Sequence, residues 1–380
     1  MTAPPVVGPY PLRFFRPTWA EIDLGRFKKN VRRFRSKVGR KVKLCCVVKG
    51  NAYGHGAVSI AQAAEAAGAA WLGVSSVEEG IALREAGQRL PILVLGSLYP
   101  FESFLAAVRY GLTPTVASLA AARKLAEVAR TLDASAKVSC HVKLDTGMGR
   151  IGMGWPSGLR AIDFILQEPR LALDGIYTHF ACAESGDAFT ALQLRRFKDA
   201  LKDVRRLGVK IPMAHAANSA AALRRPETRF DMVRPGLALY GLYGEGFLPV
   251  LSLKSRIVFI KNVQKGFAVS YGGTFRTKRP SRIATVPIGY ADGYWRAYSN
   301  KASVLVRGES CPVVGNVTMD MTMIDVSRLP QAAVGDEVVL IGRSGRREVT
   351  AHELARLART IPYEITTQIS ARVPRVYVGG

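Results

Sequence analysis

The 380-residue chain predicts a (β/α)8 barrel followed by a mainly β domain, an α/β fold class that rests on three observations. Between Trp19 and Gly244, eight short apolar runs alternate with amphipathic, Ala- and Arg-rich stretches. Several of those stretches stop at Gly, the usual residue at a helix C-terminus. After Gly244 the pattern changes to short β-type runs separated by Gly-containing turns.

The elements follow in order. The first helix is predicted from Leu24, Phe27, Val31, Phe34 and Val38, which share one stripe at helical spacing while Lys and Arg fill the opposite face. The predicted strands are 42–48, 70–75, 91–96, 112–117, 136–144, 173–180, 210–216 and 230–241. Helices are expected between them, at EEGIALREAG, FESFLAAVRYG, LAAARKLAEVART and ALQLRRFKDALKDVRRLG. Eight strands alternating with helices fit a closed barrel better than an open sheet. The barrel is expected over 15–244 and the β-rich domain over 245–380, with one helix at AHELARLART. Residues 1–14 precede the barrel and are candidates to join the second domain.

Composition narrows the class. Hydrophobic content of 48% and charged content of 22% are ordinary for a globular protein. No apolar run approaches the ~18–20 residues that span a bilayer. The N-terminus lacks a basic n-region and a long apolar h-region, so no signal peptide is read and the cytoplasm is the default. Five cysteines show no metal-ligand spacing; free buried thiols and no metal are expected. The net charge is +25, from 54 Lys and Arg against 29 Asp and Glu. That excess raises the possibility of a nucleic-acid partner. The densest basic run, Arg32 to Lys43, lies on the first helix, and no nucleic-acid motif accompanies it. A solvated basic surface is the expectation, with neither nucleic acid nor membrane as partner.

The polar residues fall where a barrel does its chemistry, at the C-terminal strand ends. Lys49 ends the first strand, and Lys143, Asp145 and Arg150 follow the fifth. His179 ends the sixth, Asn218 and Ser219 follow the seventh, and Arg234 and Gly236 lie on the eighth. Any one of them has an ordinary reading: a lysine at a strand end snorkels to water, and Gly, Asn and Ser make turns. Together they form one mouth. A lysine pushed into an apolar mouth loses basicity and becomes a nucleophile for Schiff-base chemistry. Gly236 and Ser219 offer a backbone N–H and a hydroxyl suited to phosphate. A lysine plus a phosphate cradle on a barrel is what pyridoxal 5'-phosphate needs.

At these residues the chain resembles the alanine racemase family, within the fold-type III pyridoxal-phosphate-dependent enzymes. The resemblance spans nearly the whole chain and rests on VVKGNAYGHG, HVKLDTGMGRIG, YTHFA, AANSAA, VRPGLALYG, VSYGGTF, PIGYADGY, GNVTMD and PYEITTQISARVPRVY. It implies an enzyme that interconverts L- and D-alanine by two bases, supplies D-alanine for peptidoglycan, and works as a homodimer with shared sites. Lys49 resembles the lysine that carries the cofactor and serves one face of the substrate. Tyr271 resembles the base on the other face, supplied by the second subunit. Arg234 resembles the arginine facing the pyridine nitrogen, and His179 the residue that stacks on the ring or orients that arginine. Tyr53, Ser219, Gly236, Leu237 and Tyr363 match phosphate-binding positions, with Asn218 beside them. Arg150 and the backbone amide of Met319 match groups that hold the substrate carboxylate. Lys143 matches a lysine that is often carbamylated, and Tyr290 and Asp320 match the entrance.

Some positions depart from the family pattern. Gly50 stands where alanine is common; Asn316 and Thr318 stand where arginine and Cys or Ser are commoner. The last two bear on entrance width and substrate range. The competing readings are a broader racemase acting on serine, lysine or arginine, an amino-acid decarboxylase on the same fold, a non-catalytic pyridoxal-phosphate binder, and a nucleic-acid-binding protein.

Overall fold

The computed structural model describes residues 15–132 and 137–380. Two compact units emerge, Leu24–Leu248 and a second that joins residues 15–23 to Pro249–Gly380. Residues 1–14, expected as candidates to join the second domain, lie outside the described residues.

Strand β1 (Thr18–Asp23) precedes the barrel in sequence but belongs to the second unit. The barrel strands are β2 (Lys43–Val47), β3 (Trp71–Val74), β4 (Ile92–Val94), β5 (Thr113–Val116), β6 (Val138–Lys143), β7 (Leu171–Tyr177), β8 (Ala214–His215) and β9 (Met232–Val233). They form one closed, parallel barrel, with β9 returning to β2 at Lys43↔Met232 and Leu44↔Val233. Parallel strands are buried on both faces, which is why β3, β4 and β5 are wholly buried and β3 and β4 read as continuous apolar runs. Cys45, Trp71, Leu93, Met213 and Met232 form one core cluster of the barrel.

Helix α1 (Leu24–Val38) buries Phe27, Val31, Phe34 and Val38, as its apolar stripe predicts. It also buries Asn30, whose side chain makes three hydrogen bonds. Nδ2 donates to the carbonyls of Leu239 (2.9 Å) and Leu248 (2.8 Å), and Oδ1 accepts from Leu248 N (2.8 Å). This one amide ties α1 to both ends of the segment that follows β9.

Two expected strands shrink. The run 210–216 forms only Ala214–His215, and the run 230–241 only Met232–Val233. Pro235 has no N–H to give a ladder. Beyond it Leu239, Tyr240 and Gly241 donate to Gly236, Leu237 and Ala238 at 2.8, 3.2 and 3.2 Å, a succession of tight turns. Leu239 and Tyr240 are fully buried there, so the apolar character that suggested a strand is satisfied in a turn. Part of the run 136–144 lies outside the described residues; its described part contains β6.

The second unit holds a seven-stranded sheet. Its path runs Glu309–Pro312, Ser303–Val306, Glu337–Ser344, Leu251–Arg256, β1 and Arg375–Val378, with Arg347–Val349 beside Glu337–Ser344. A three-stranded sheet of Phe259–Val263, Ser281–Val286 and Thr322–Asp325 accompanies it. β1 is antiparallel to Leu251–Arg256 and parallel to Arg375–Val378, which makes it an interior strand of this sheet. The strands Glu309–Pro312 and Thr322–Asp325 are separated by a loop that carries Asn316 and Met319.

Asn30→Leu keeps the branched shape, adds bulk and strands two carbonyls and one amide. Each buried unsatisfied group costs about 1–3 kcal/mol. Urea denaturation is expected to show a loss of at least about 2 kcal/mol, with the m-value unchanged.

Candidate active site

Lys49 is half-buried at the end of β2, and the chain behind it takes an unusual path. Gly50, Asn51 and Ala52 have φ/ψ of 62/43, 53/48 and 54/51, and Tyr53 has φ 53. This is a left-handed turn, which costs L-residues roughly 1–2 kcal/mol each. Only the first position is Gly. The others are held by specific bonds. Glu79, in the first turn of helix Val77–Glu85, accepts from Gly50 N with one oxygen (2.6 Å). Its other oxygen accepts from Ser75 N (2.7 Å) and the Ser75 hydroxyl (2.8 Å) at the end of β3. Asn51 Oδ1 accepts from Ala57 N (2.8 Å), closing the turn onto the next helix.

Burial lowers the pKa of Lys49, the Arg150 charge lowers it further, and Glu79 partly opposes both. Lys143, at the end of β6, is brought down to about 8 by burial, then by the charges of Arg234, Arg150 and Lys49. Asp145 follows, but it is occupied as a loop-former, accepting from Gly147 N (2.8 Å), Met148 N (2.8 Å) and Gly149 N (2.9 Å).

Arg234 lies just beyond β9 with only 4% of its surface exposed. Its guanidinium donates to Thr178 O (2.8 Å), Ala216 O (3.0 Å), His179 Nδ1 (3.2 Å) and His215 Nδ1 (2.6 Å). None of the four is anionic. An arginine can only donate, so His215 Nδ1 must accept and the hydrogen of its neutral ring sits on Nε2. That Nε2 therefore donates to His141 Nδ1, 2.8 Å away. The hydrogen of His141 is then on Nε2, which lies 3.7 Å from Asp174 Oδ2, beyond hydrogen-bond distance. Burial and the Arg234 charge hold His215 and His179 well below the ordinary histidine pKa, which keeps both neutral and accepting. Tyr177 stacks on His215 with ring centroids 4.6 Å apart, under the cations of Lys143 (5.3 Å) and Arg234 (5.1 Å).

The turn after Arg234 meets helix Ser219–Arg224. The Ser219 hydroxyl oxygen accepts from Gly236 N (3.0 Å) and Ala238 N (3.3 Å). Asn218 is the helix N-cap, its Oδ1 accepting from Ala221 N (2.9 Å). A Cβ on Gly236 would sit 2.5 Å from the Tyr53 hydroxyl, so only glycine lets the phenol and this backbone approach. The barrel unit thus gathers Lys49, Tyr53, Lys143, His179, Ser219, Arg234 and Gly236 at its strand ends. Leu237 lies in the same turn, and Arg150 is close enough for its charge to act on Lys49 and Lys143.

The remaining expected residues lie in the second unit. Tyr271 opens a single turn, Tyr271–Gly273, and is 75% exposed. Tyr290, in the turn Tyr290–Asp292, and Met319 are also exposed. Tyr290 N and Ala291 N donate to the carbonyls of Thr318 (3.0 Å) and Met319 (3.1 Å), which ties the two segments together. Under them lies Asp292, fully buried and unassigned by the sequence analysis. It accepts from Arg16 (3.0 and 2.5 Å) and Gly289 N (3.0 Å), with Arg372 at 3.3 Å. Arg372 also grips Asp320 at 2.5 Å. Tyr363 is in the first turn of helix Pro362–Thr367.

Glu79, His141 and His215 also escaped the sequence analysis. An acid in a first helical turn reads as ordinary capping, and a histidine inside a buried strand has no pattern that reveals its partner.

A parallel barrel whose mouth carries a desolvated lysine among other cations is the architecture of barrel enzymes, whose chemistry lies at the C-terminal strand ends. The chain belongs to the alanine racemase family. It matches the family profile "Alanine racemase, N-terminal domain" over residues 22–244 and "Alanine racemase, C-terminal domain" over 250–377. It is 46% identical to an alanine racemase of Symbiobacterium thermophilum, covering 96% of this chain and 98% of that one. The structure of Bacillus anthracis alanine racemase with bound L-Ala-P superposes with a TM-score of 0.89 at 39% identity, over 97% of both chains. A histidine racemase from Leuconostoc mesenteroides gives a TM-score of 0.88 at 29% identity, over 96% of this chain and 98% of that one. No helix among the described residues is long and apolar enough to cross a membrane.

Lys143 generates a pH prediction. Its folded pKa of about 8 lies below the ordinary lysine value of 10.5, so the native state disfavours the ammonium. The penalty is full below pH 8 and fades as pH rises to about 10.5, where the unfolded lysine also loses its proton. Lys143→Met is therefore expected to stabilise the cofactor-free chain by about 1–3 kcal/mol at pH 6–7, less at pH 9.5. Urea titrations at the two pH values measure the difference.

Proposed function

We propose that this chain interconverts L- and D-alanine with pyridoxal 5'-phosphate, using Lys49 and Tyr271 as bases on opposite faces of Cα. The observation that carries the reading is the charge imbalance at the barrel mouth. Lys49, Lys143, Arg150 and Arg234 act on one another, while Glu79 and Asp145 are largely committed to backbone amides. A phosphate ester and a substrate carboxylate supply the missing negative charge. The Ser219 hydroxyl, Gly236 N–H and Tyr53 phenol converge where only a glycine fits, which suits the phosphate. The Leu237 backbone and Tyr363 belong to the same proposed phosphate set, with Asn218 holding the Ser219 helix in register.

When bound, the cofactor supplies an electron sink that makes the Cα proton removable. The protein's own part is positioning and proton handling. Lys49, with its lowered pKa and a backbone fixed by Glu79, moves a proton at one face of Cα. Tyr271 of a second copy moves one at the other face, which inversion requires. Arg234 stays cationic and disfavours a proton on a ring nitrogen placed against it. His179 holds that guanidinium by accepting its N–H. Arg150 and the Met319 amide hold the substrate carboxylate. An amine with a pKa of about 8 is neutral often enough to take up CO2, so Lys143 is suited to become a carbamate that orients Arg150. Tyr290 and Asp320 frame the entrance.

The exposure of Tyr271, Met319 and Tyr290 supports a homodimer, since a base works best when enclosed and a second copy would cover Tyr271. The barrel unit holds the cofactor and the β-rich unit lends the second base to a partner. All five cysteines are free, which suits a cytoplasmic setting and a role in supplying D-alanine for peptidoglycan.

Alanine incubated in D2O with the holoenzyme is expected to yield deuterated alanine of inverted configuration. Lys49→Ala should abolish this. Tyr271→Phe should lower inversion about 10²–10⁴-fold while exchange on one face persists. Wild type that exchanges serine or lysine but not alanine would refute the substrate assignment.

Mixing the two inactive variants tests site sharing. In a heterodimer one site receives both intact bases, so unfolding and refolding the mixture should restore activity to about a quarter of wild type. No recovery, with heterodimers demonstrated by mass, would show that each chain supplies both bases itself.

A further inference from the structure

We propose that Asn316 is the positioning residue for Tyr271, and that it acts by holding Ser270 in a backbone conformation that serine does not adopt unaided. The proposal rests on the reading of Tyr271 as the second base. Ser270 has φ 64 and ψ −179, a region that belongs almost entirely to glycine. It immediately precedes Tyr271, whose side chain is 75% exposed and so has little packing of its own to direct it. The direction in which Tyr271 leaves the backbone is therefore set by Ser270.

Two hydrogen bonds with Asn316 brace this stretch, one at Ser270 and one at the carbonyl of Tyr271. The Ser270 hydroxyl donates to the Asn316 carbonyl (2.7 Å), and the Asn316 side-chain amide donates to the Tyr271 carbonyl (2.8 Å). They flank the peptide between Ser270 and Tyr271, one at the serine side chain before it and one at the carbonyl after it. Gly273 N donates to Ser270 O (3.2 Å), closing the turn.

The loop that carries Asn316 is itself pinned. A Cβ on Gly315 would meet Val269 O at 2.6 Å and Ser270 Cβ at 2.8 Å, so only glycine allows this approach. Gly315 N donates to Asn300 Oδ1 (2.6 Å), and Asn300 Nδ2 donates to Thr274 Oγ1 (3.1 Å) beyond the turn. The tyrosine turn is thus clamped on both flanks, with Asn316 at its centre. A backbone residue in this region is about as unfavourable as one or two hydrogen bonds are favourable. The balance is close, and losing either Asn316 bond lets Ser270 relax and Tyr271 swing away.

The test compares Asn316→Ala, Ser270→Ala and Ser270→Gly with Tyr271→Phe. Two readouts are used: amide hydrogen exchange at Gly273 in the cofactor-free protein, and the ratio of inversion to Cα exchange with alanine in D2O in the holoenzyme. Asn316→Ala should speed exchange at Gly273 about tenfold and lower the ratio about tenfold or more, with pyridoxal phosphate affinity within twofold of wild type. Ser270→Ala keeps the strain and loses the hydroxyl, so it should move both readouts the same way. Ser270→Gly removes the strain and should hold the ratio within about threefold of wild type. Unchanged readouts in Asn316→Ala, with inversion lost in Tyr271→Phe, would overturn the positioning role and leave the second base intact. A loss in Ser270→Gly as deep as in Ser270→Ala would overturn the strain argument. Full inversion in Tyr271→Phe would remove the second-base reading and this proposal with it.

Discussion

Arg234 is a buried guanidinium with donors on every nitrogen and no acceptor, and the barrel core is arranged around that asymmetry. Everything placed against it must accept: two backbone carbonyls and two imidazole nitrogens do so. Both histidines must stay neutral, because an imidazolium would set donor against donor and charge against charge. Burial alone would lower their pKa; the guanidinium lowers it again. The choice then propagates, since fixing the His215 tautomer fixes that of His141 and puts its remaining N–H on Nε2. One residue that cannot accept a proton dictates where protons sit across the barrel.

Dipoles alone satisfy this charge, and that is a weak form of compensation. A buried cation without a counter-ion is costly unless an anion arrives to meet it. Lys143 shows the same pressure in a group that can respond, and its pKa falls to about 8. Arginine cannot respond in that way at accessible pH. The mouth therefore remains positive, a lasting demand for anionic ligand atoms. The same logic explains why Glu79 does not neutralise Lys49. Its oxygens already accept three hydrogen bonds, and it acts on the lysine chiefly by fixing the backbone beside it.

Much of this was legible in the sequence, for identifiable reasons. Strands buried on both faces show as runs such as LCCVV and WLGV, and the incongruous lysine at the end of the first run marks the mouth. The same rule misled at 230–241, because burial is all that an apolar run reports. Leu239 and Tyr240 are buried in tight turns past Pro235, with no strand beneath them. Polar residues fared worse where their role depends on a distant partner. Nothing about Asn30, Asp292 or His215 in the sequence shows which carbonyl, arginine or ring each one meets. The left-handed path through Asn51, Ala52 and Tyr53 was hidden too, since Ala and Tyr do not favour it and the bonds that brace it, among them those of Glu79 and Asn51, have partners the sequence does not reveal.

The two proposed bases share a physical circumstance. Each follows or precedes backbone that its residues do not choose, left-handed after Lys49 and glycine-like before Tyr271. Each strained segment is braced by polar bonds, to which the packing of Ala52 and of Tyr53 on Tyr240 adds on the Lys49 side. Such an arrangement fixes a direction without filling the space in front of the reactive atom, which must stay open for substrate. A base held by packing would be surrounded by the atoms that hold it. Backbone strain braced from behind leaves the front free, and the stability that tolerates it comes from the barrel and sheet on which each segment is mounted.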